Sequence, residues 1–287
     1  MKQKVIERVF ANLLLVTCAV SLALDLRASP GSSSKPTASP AATTPQATVA
    51  PSAPVKTDTK PAIWTREEAK RVLRIAEEIR SVDKGRILVT LTTEANNRTT
   101  VYDIRILRST NRRAHLEFIA PQEERGRRML AQGNSYWSTF PDSKRVVAIS
   151  RREAIGNSAF AMADVFQMDS ETDYDPEISA REQRNGVNVL KLDLKAKHKE
   201  APYARVIYYV EESGYFPVEA QFYGMSGKLL KTMHAETRKQ LAGRQRVERS
   251  RMIDNVTQGR VSVWLTREMK EENIPDQVFT REYLKTQ

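Results

Sequence analysis

From Arg86 to Thr266 the apolar residues mostly alternate with polar ones, and the alternating stretches are joined by only a few residues each. Leu190, Leu192 and Leu194 fall on one face of their stretch. So do Val206, Tyr208 and Val210, and likewise Phe216, Val218, Ala220 and Phe222. The opposite positions hold Lys191, Asp193, Arg205, Glu211, Glu219 and Gln221. Successive side chains of a strand point to opposite faces, so this pattern describes a sheet with one dry face and one wet face. Joins such as Gly133-Asn134, Pro141-Asp142, Ser213-Gly214 and Ser226-Gly227 suit tight hairpins. About twelve strands can be laid out in this way, with an interruption between 150 and 186. No strand–helix alternation is present, which argues against a parallel nucleotide-binding sheet.

A long meander with a continuous dry face must curl around something. Three segments are available: a helix at 65–82, the interruption at 158–168 and a short helix near 280–285. Thr65 and Glu68 have capping-box spacing, and Ala69, Val72, Leu73, Ala76 and Ile79 then recur at intervals of three and four. These segments are too few to cover so wide a face. The expected fold is mainly β (α+β), an open antiparallel half β-barrel of about 11–12 strands wrapped around a few helices, with an apolar concavity left for a ligand.

The first 62 of the 287 residues differ from the rest. Lys2, Lys4 and Arg8 precede an apolar run from Val9 to Leu24, and small residues follow, so 1–28 resembles a secretory signal that is either removed or kept as an anchor. Cys18 is the only cysteine. It follows Leu15-Val16-Thr17 and is a candidate lipidation site, although Thr17 departs from the small residue of a lipobox. Residues 29–62 hold seven of the 13 prolines among Ala, Ser and Thr, which describes a disordered tether. The folding domain is then 63–287. Of the formal charge of +11, +7 lies on that domain, with basic and acidic residues interspersed. Such a surface suits anionic headgroups or acidic partners and lacks the long basic blocks of nucleic-acid binders.

Tyr136, Trp137 and Phe140 crowd into five residues of a chain that is 7% aromatic. By alternation Tyr136 and Phe140 share one face and Trp137 takes the other. The interruption brings Phe160, Met162, Val165 and Phe166 together, bulky enough for an adjustable apolar lid or for ordinary core packing. With Tyr208 and Phe222 of the dry face, these are the candidate lipid-contacting residues. Arg127, Arg128, Lys144 and Arg145 are candidates for a basic rim toward headgroups or a partner.

Gly133, Trp137, Phe140-Pro141, Lys144-Arg145-Val146 and Ile149 lead into Gly156, Ser158, Phe160 and Asp164. This order resembles the outer-membrane lipoprotein-sorting family of Lol-like periplasmic carriers. The tail, with Ile274-Pro275-Asp276, Phe279-Thr280 and Leu284, is similar to that family's ending. The resemblance implies a periplasmic half-barrel that accepts acyl chains of a lipoprotein or phospholipid. From the residues themselves no cofactor and no nucleic acid are expected; a monomer is expected, with an inner-membrane transporter or exporter as a candidate partner. A regulatory protein of the same fold, of the type that binds an anti-sigma factor, and an accessory to an envelope exporter remain open beside it.

Enzymatic signatures are weak. His115, His198 and His234 lie at no metal-ligand spacing, and the charged same-face neighbours of His115 and His234 place those two at the surface. Ser158 lacks the second glycine of a nucleophile elbow. The acids Asp169, Glu171, Asp173, Asp175 and Glu177 begin like a calcium loop, but Tyr174 and Ala180 stand where glycine and glutamate belong, so a solvated acidic loop is expected. The chain is accordingly read as no enzyme. An envelope hydrolase would need a polar pair in the concavity.

Overall fold

The computed structural model describes residues 64–286, except 111 and 167–169. The segments read as signal (1–28) and tether (29–62), with Cys18, lie outside the described residues. The first element is helix α1 (Arg66–Arg80). Its start follows from the sequence: the Thr65 side chain accepts from the Glu68 N–H at 3.2 Å, and the Glu68 carboxylate accepts from the Thr65 N–H at 2.7 Å. Ala69, Val72, Leu73 and Ala76 form its buried stripe.

Thirteen antiparallel strands follow among the described residues. Strands β1 to β6 are Gly85–Ala95, Arg98–Ser109, Arg113–Ala120, Arg128–Gln132, Ser135–Phe140 and Ser143–Ile149. Short helices α2 (Met162–Val165) and α3 (Ser170–Asp173) occupy the interruption. Strands β7 to β13 are Tyr174–Arg184, Val187–Ala196, Arg205–Glu211, Pro217–Tyr223, Leu229–Leu241, Arg244–Asp254 and Val261–Lys270. A 3₁₀ turn (Asp276–Phe279) and helix α4 (Arg281–Leu284) end the chain. The order across the sheet is β6-β5-β4-β3-β2-β1-β13-β12-β11-β10-β9-β8-β7. Two meanders are therefore joined where β1 pairs with β13, and β6 and β7 are free edges. The sheet is open, the half-barrel architecture expected.

The acidic run is a point of difference. It contributes α3 and the first residues of edge strand β7, with Asp175 and Glu177 outward while Tyr174, Pro176 and Ile178 are buried. Alternating charges on an edge strand discourage unwanted pairing. The sequence signal was hidden because the inward positions are a tyrosine, a proline and a single isoleucine.

The dry face forms the main core. It includes Val89, Leu91, Ile104, Leu116, Met129, Leu192, Val206 and Phe222, all within 1% of fully buried. Helix α1 lies across β7, β10 and β12 on this concave side, and the segment 150–166 lies beside it. The C-terminal segment does not join them. It packs on the convex face, where Phe279 and Leu284 cover Leu130, Trp137 and Val146. His115 lies beneath it, 2% exposed and edge-on to Tyr283 with ring centroids 5.3 Å apart. The expected surface position of His115 is thus overturned by the tail that folds over it, and burial pulls its pKa down to about 4. His234 stays at the surface, its side chain 40% exposed.

Candidate functional site

The site is the space between the concave face and the segment 150–166. That segment is positioned by polar contacts at both ends and in the middle. Arg151 donates to Asp173, and Arg152 donates to the carbonyls of Ala201 and Pro202 at 2.8 and 2.9 Å. Asn157 N–H donates to the Tyr102 hydroxyl at 3.3 Å, and that hydroxyl donates to Asn157 Oδ1 at 3.0 Å. Arg80, in the last turn of α1, donates to the Asp164 carbonyl at 3.0 Å.

The centre is a buried polar knot. Asp164 accepts from Lys231 Nζ, from the Tyr203 hydroxyl at 2.7 Å and from the Ala161 N–H at 2.7 Å. Lys231 also donates to the Ala159 carbonyl at 3.2 Å, and its ammonium lies over the rings of Tyr203 and Phe222. Burial and the adjacent Asp164 carboxylate hold Tyr203 protonated, its pKa raised well above the ordinary tyrosine value. A buried carboxylate needs partners on all sides, and these three donors supply them. The concavity therefore contains the polar pair that a hydrolase reading would require. Here each member is saturated by the other and by its neighbours.

Two spaces flank this segment. A cavity of about 60 Å³ lies between the sheet and the segment, lined by Ile87, Ile106, Phe160, Val165, Val247, Trp264 and Met269, with Glu77, Arg80 and Arg108 at its polar side. Burial lowers the Arg108 guanidinium to about 10, which leaves it charged at neutral pH. A second space of about 420 Å³ is a groove on the other side of Phe160. Its walls include Ala159, Ala161, Pro202, Leu230, Met225 and Val256, with Arg152, Lys231, Asp254 and Arg260.

The concave side is therefore fuller than the strand count suggested. A 60 Å³ cavity holds only a few waters. Phe160 and Met162 are 2% and 0% exposed, Phe166 is 7% exposed, and Val165 is half-buried at the cavity wall. These lid candidates are buried as part of the core. Tyr208 and Phe222 are buried on the same concave face, Phe222 against Tyr203 at 4.8 Å. Burial pushes the Tyr208 hydroxyl up to about 12.

The aromatic cluster divides three ways. Tyr136 is buried on the concave side, 6.4 Å from Phe166. Trp137 is on the convex side under Arg281, away from the concavity. Phe140 does not share the face of Tyr136: a register shift between Ser138 and Phe140 breaks the alternation, and Phe140 turns out to 45% exposure against Arg127. The rim candidates are also separated. Arg127 pairs with Glu124 and stacks on Phe118 and Phe140. Arg128 pairs with Glu117 and stacks on Tyr283 of the convex tail. Arg145 is exposed on edge strand β6, and nothing is described of the Lys144 side chain.

Lys231, Tyr203 and Arg152 were not singled out in the sequence. Lys231 carried a signal: it is the inward residue of an alternating strand, where an unpartnered charge cannot be buried. Tyr203 and Arg152 carried none, because their roles come from loops meeting in space. Among the described residues no helix is long and apolar enough to cross a membrane.

A family model described as an uncharacterized protein matches residues 110–286. A LolA superfamily protein from Nitrosomonas europaea superposes with a TM-score of 0.69 at 28% identity, over 75% of this chain and 98% of that one. An outer membrane lipoprotein-sorting protein domain from Vibrio parahaemolyticus gives 0.66 at 20% identity, over 77% and 100%. A DUF1329 family protein from Desulfovibrio piger gives 0.67 at 16% identity, over 75% and 98%. No curated protein matches the chain.

Proposed function

The chain belongs to the uncharacterized-protein family whose model spans residues 110–286 and has the fold of the LolA superfamily, and from that premise we propose that it carries acyl chains of a lipid or lipoprotein across the periplasm. The observation that carries this reading is the apolar concave face, occupied beside α1 by one short segment that is fixed by a few long-range polar contacts and by the large apolar side chains it inserts. An acyl chain entering the concavity would replace the apolar contacts of these inserted side chains with its own. Outward movement of residues 150–166 removes Phe160, Met162 and Phe166 from the concavity and leaves a continuous trough of Leu, Ile, Val and Met side chains.

Partition drives loading. Each buried methylene contributes about 0.8 kcal/mol, so a chain of about 14–16 carbons gains on the order of 10 kcal/mol before ordering costs. Part of that gain is spent on displacing the plug, which keeps binding reversible and permits handover to a second apolar site. No bond is made or broken in this cycle.

The test is mass spectrometry of lipid that co-purifies with the protein from its native envelope. Wild-type protein is expected to carry acyl lipid near one per chain, and Phe160→Asp, which places a carboxylate in the trough, is expected to carry little. A wild type free of lipid, or equal lipid in both, contradicts the proposal.

A further inference from the structure

Phe160 lines both spaces, the 60 Å³ cavity on one side and the 420 Å³ groove on the other. The two lie in line along the half-barrel. Strand β12 supplies Val247 to the cavity and Asp254 to the groove, seven residues apart, which at about 3.4 Å per residue is roughly 24 Å. Phe160 lines both, and the Asp164–Lys231 pair beside it contributes Asp164 to the cavity and Lys231 to the groove, so these side chains lie at the boundary between them. We propose that the groove is the port for an anionic lipid, whose acyl chain passes Phe160 into the inner cavity while its headgroup stays on Arg152 and Arg260. This inference rests on the carrier reading.

Three observations favour that occupant. The groove has apolar Ala159, Phe160 and Leu230 in its walls, and of its cations Lys231 is balanced by Asp164 and Arg260 by Asp254 at 3.3 Å, which leaves Arg152, bound only to backbone carbonyls, as its net positive charge. Its composition thus matches an amphiphile with a negative head. Met225 and Val256, at the tips of the β10–β11 and β12–β13 turns, are 69% and 55% exposed on its rim. Exposed apolar side chains also gather at this end of the molecule. By strand direction Val101, Ile119 and Phe140 lie toward the same end, whereas Val187 is at the opposite one. Apolar tips beside guanidinium groups suit contact with an anionic bilayer, in which the tips enter the interface and the cations meet phosphate.

The probe is a vesicle of phosphatidylglycerol with brominated acyl chains, and the signal is quenching of Trp264, whose ring lies 5.4 Å from that of Phe160. Trp64→Phe and Trp137→Phe are introduced so that Trp264 reports alone, and quenching is read after the vesicles are removed. Loading by the parent protein is expected to be faster from phosphatidylglycerol than from brominated phosphatidylcholine. Met225→Asp with Val256→Asp, both surface changes compatible with folding, is expected to slow loading by about tenfold or more, since binding follows apolar contact with the interface. Val187→Asp, also exposed, at 40%, but at the opposite end, is expected to keep the parent rate. Parent-like loading by the double variant, equal slowing by Val187→Asp, or indifference to headgroup charge overturns the port while leaving the carrier reading intact. Absence of quenching in the parent protein overturns both.

Discussion

His115 is a residue whose environment sets a property of the whole chain. Its imidazole is neutral beneath Tyr283, and its pKa falls from the ordinary value to about 4 because burial penalises the charged form. The unfolded chain therefore binds a proton that the folded chain does not, between about pH 4 and 6.5. Stability from this group is complete above that window and is lost as pH falls through it. Urea unfolding at pH 7 and pH 4.5 is expected to show roughly 2–3 kcal/mol less stability at the lower pH from this group. His115→Leu is expected to lack that part of the slope, and an unchanged slope contradicts the assignment. The burial of His115 was illegible in the sequence, because its strand neighbours Arg113 and Glu117 are charged and the tail that covers it lies some 165 residues away. By contrast, the pairing of Thr65 with Glu68 was legible, because a cap is settled within one helical turn.

At the scale of elements, the segment 150–166 is held by a close approach. Gly156 has φ +61, and a Cβ there would stand 2.7–2.9 Å from the Tyr102 ring. Alanine would suffer both the left-handed backbone and the clash, at a cost of about 1–3 kcal/mol. Gly156→Ala is expected to lift the segment locally. Amide exchange of residues 154–166 should accelerate while strands β8 to β12 keep their protection. Uniform acceleration across the sheet would show instead that the segment and the sheet open as one unit. Strand faces were readable where inward residues were Leu, Val or Tyr in unbroken alternation, as in β8 and β9, whereas in β10 a register shift between Pro217 and Glu219 carries Val218 to the convex cluster of Val189, Ile207 and Tyr209, away from Ala220 and Phe222. They were not readable in β7, whose inward residues are a tyrosine, a proline and a single isoleucine set among acids, nor in β5, where a bulge turns Phe140 away from Tyr136. The same limit separates Trp137 from the lid residues: alternation showed that it faces away from Tyr136, but not that a C-terminal turn would cover it.

For the molecule as a whole, the balance between plug and cargo decides the behaviour. Helix α1, the segment 150–166 and Tyr203 fill most of the concavity, which the sequence suggested would be hollower. The short interruption looked too small to fill a wide sheet, yet Phe160, Met162 and Phe166 are large side chains directed to one side. A polar knot of Asp164, Lys231 and Tyr203 then fixes them at one point. Such a plug sets a threshold: short chains cannot repay its displacement, and longer ones can. The measurement that tests this most directly is the binding constant of a homologous series of fatty acids, for example by competition with a fluorescent acyl probe. Partition predicts weak binding below a threshold length. Above it, affinity should rise by about fourfold for each added methylene until the trough is full, from about 0.8 kcal/mol per group. Affinity independent of chain length, or binding of short chains as tight as long ones, would contradict the account.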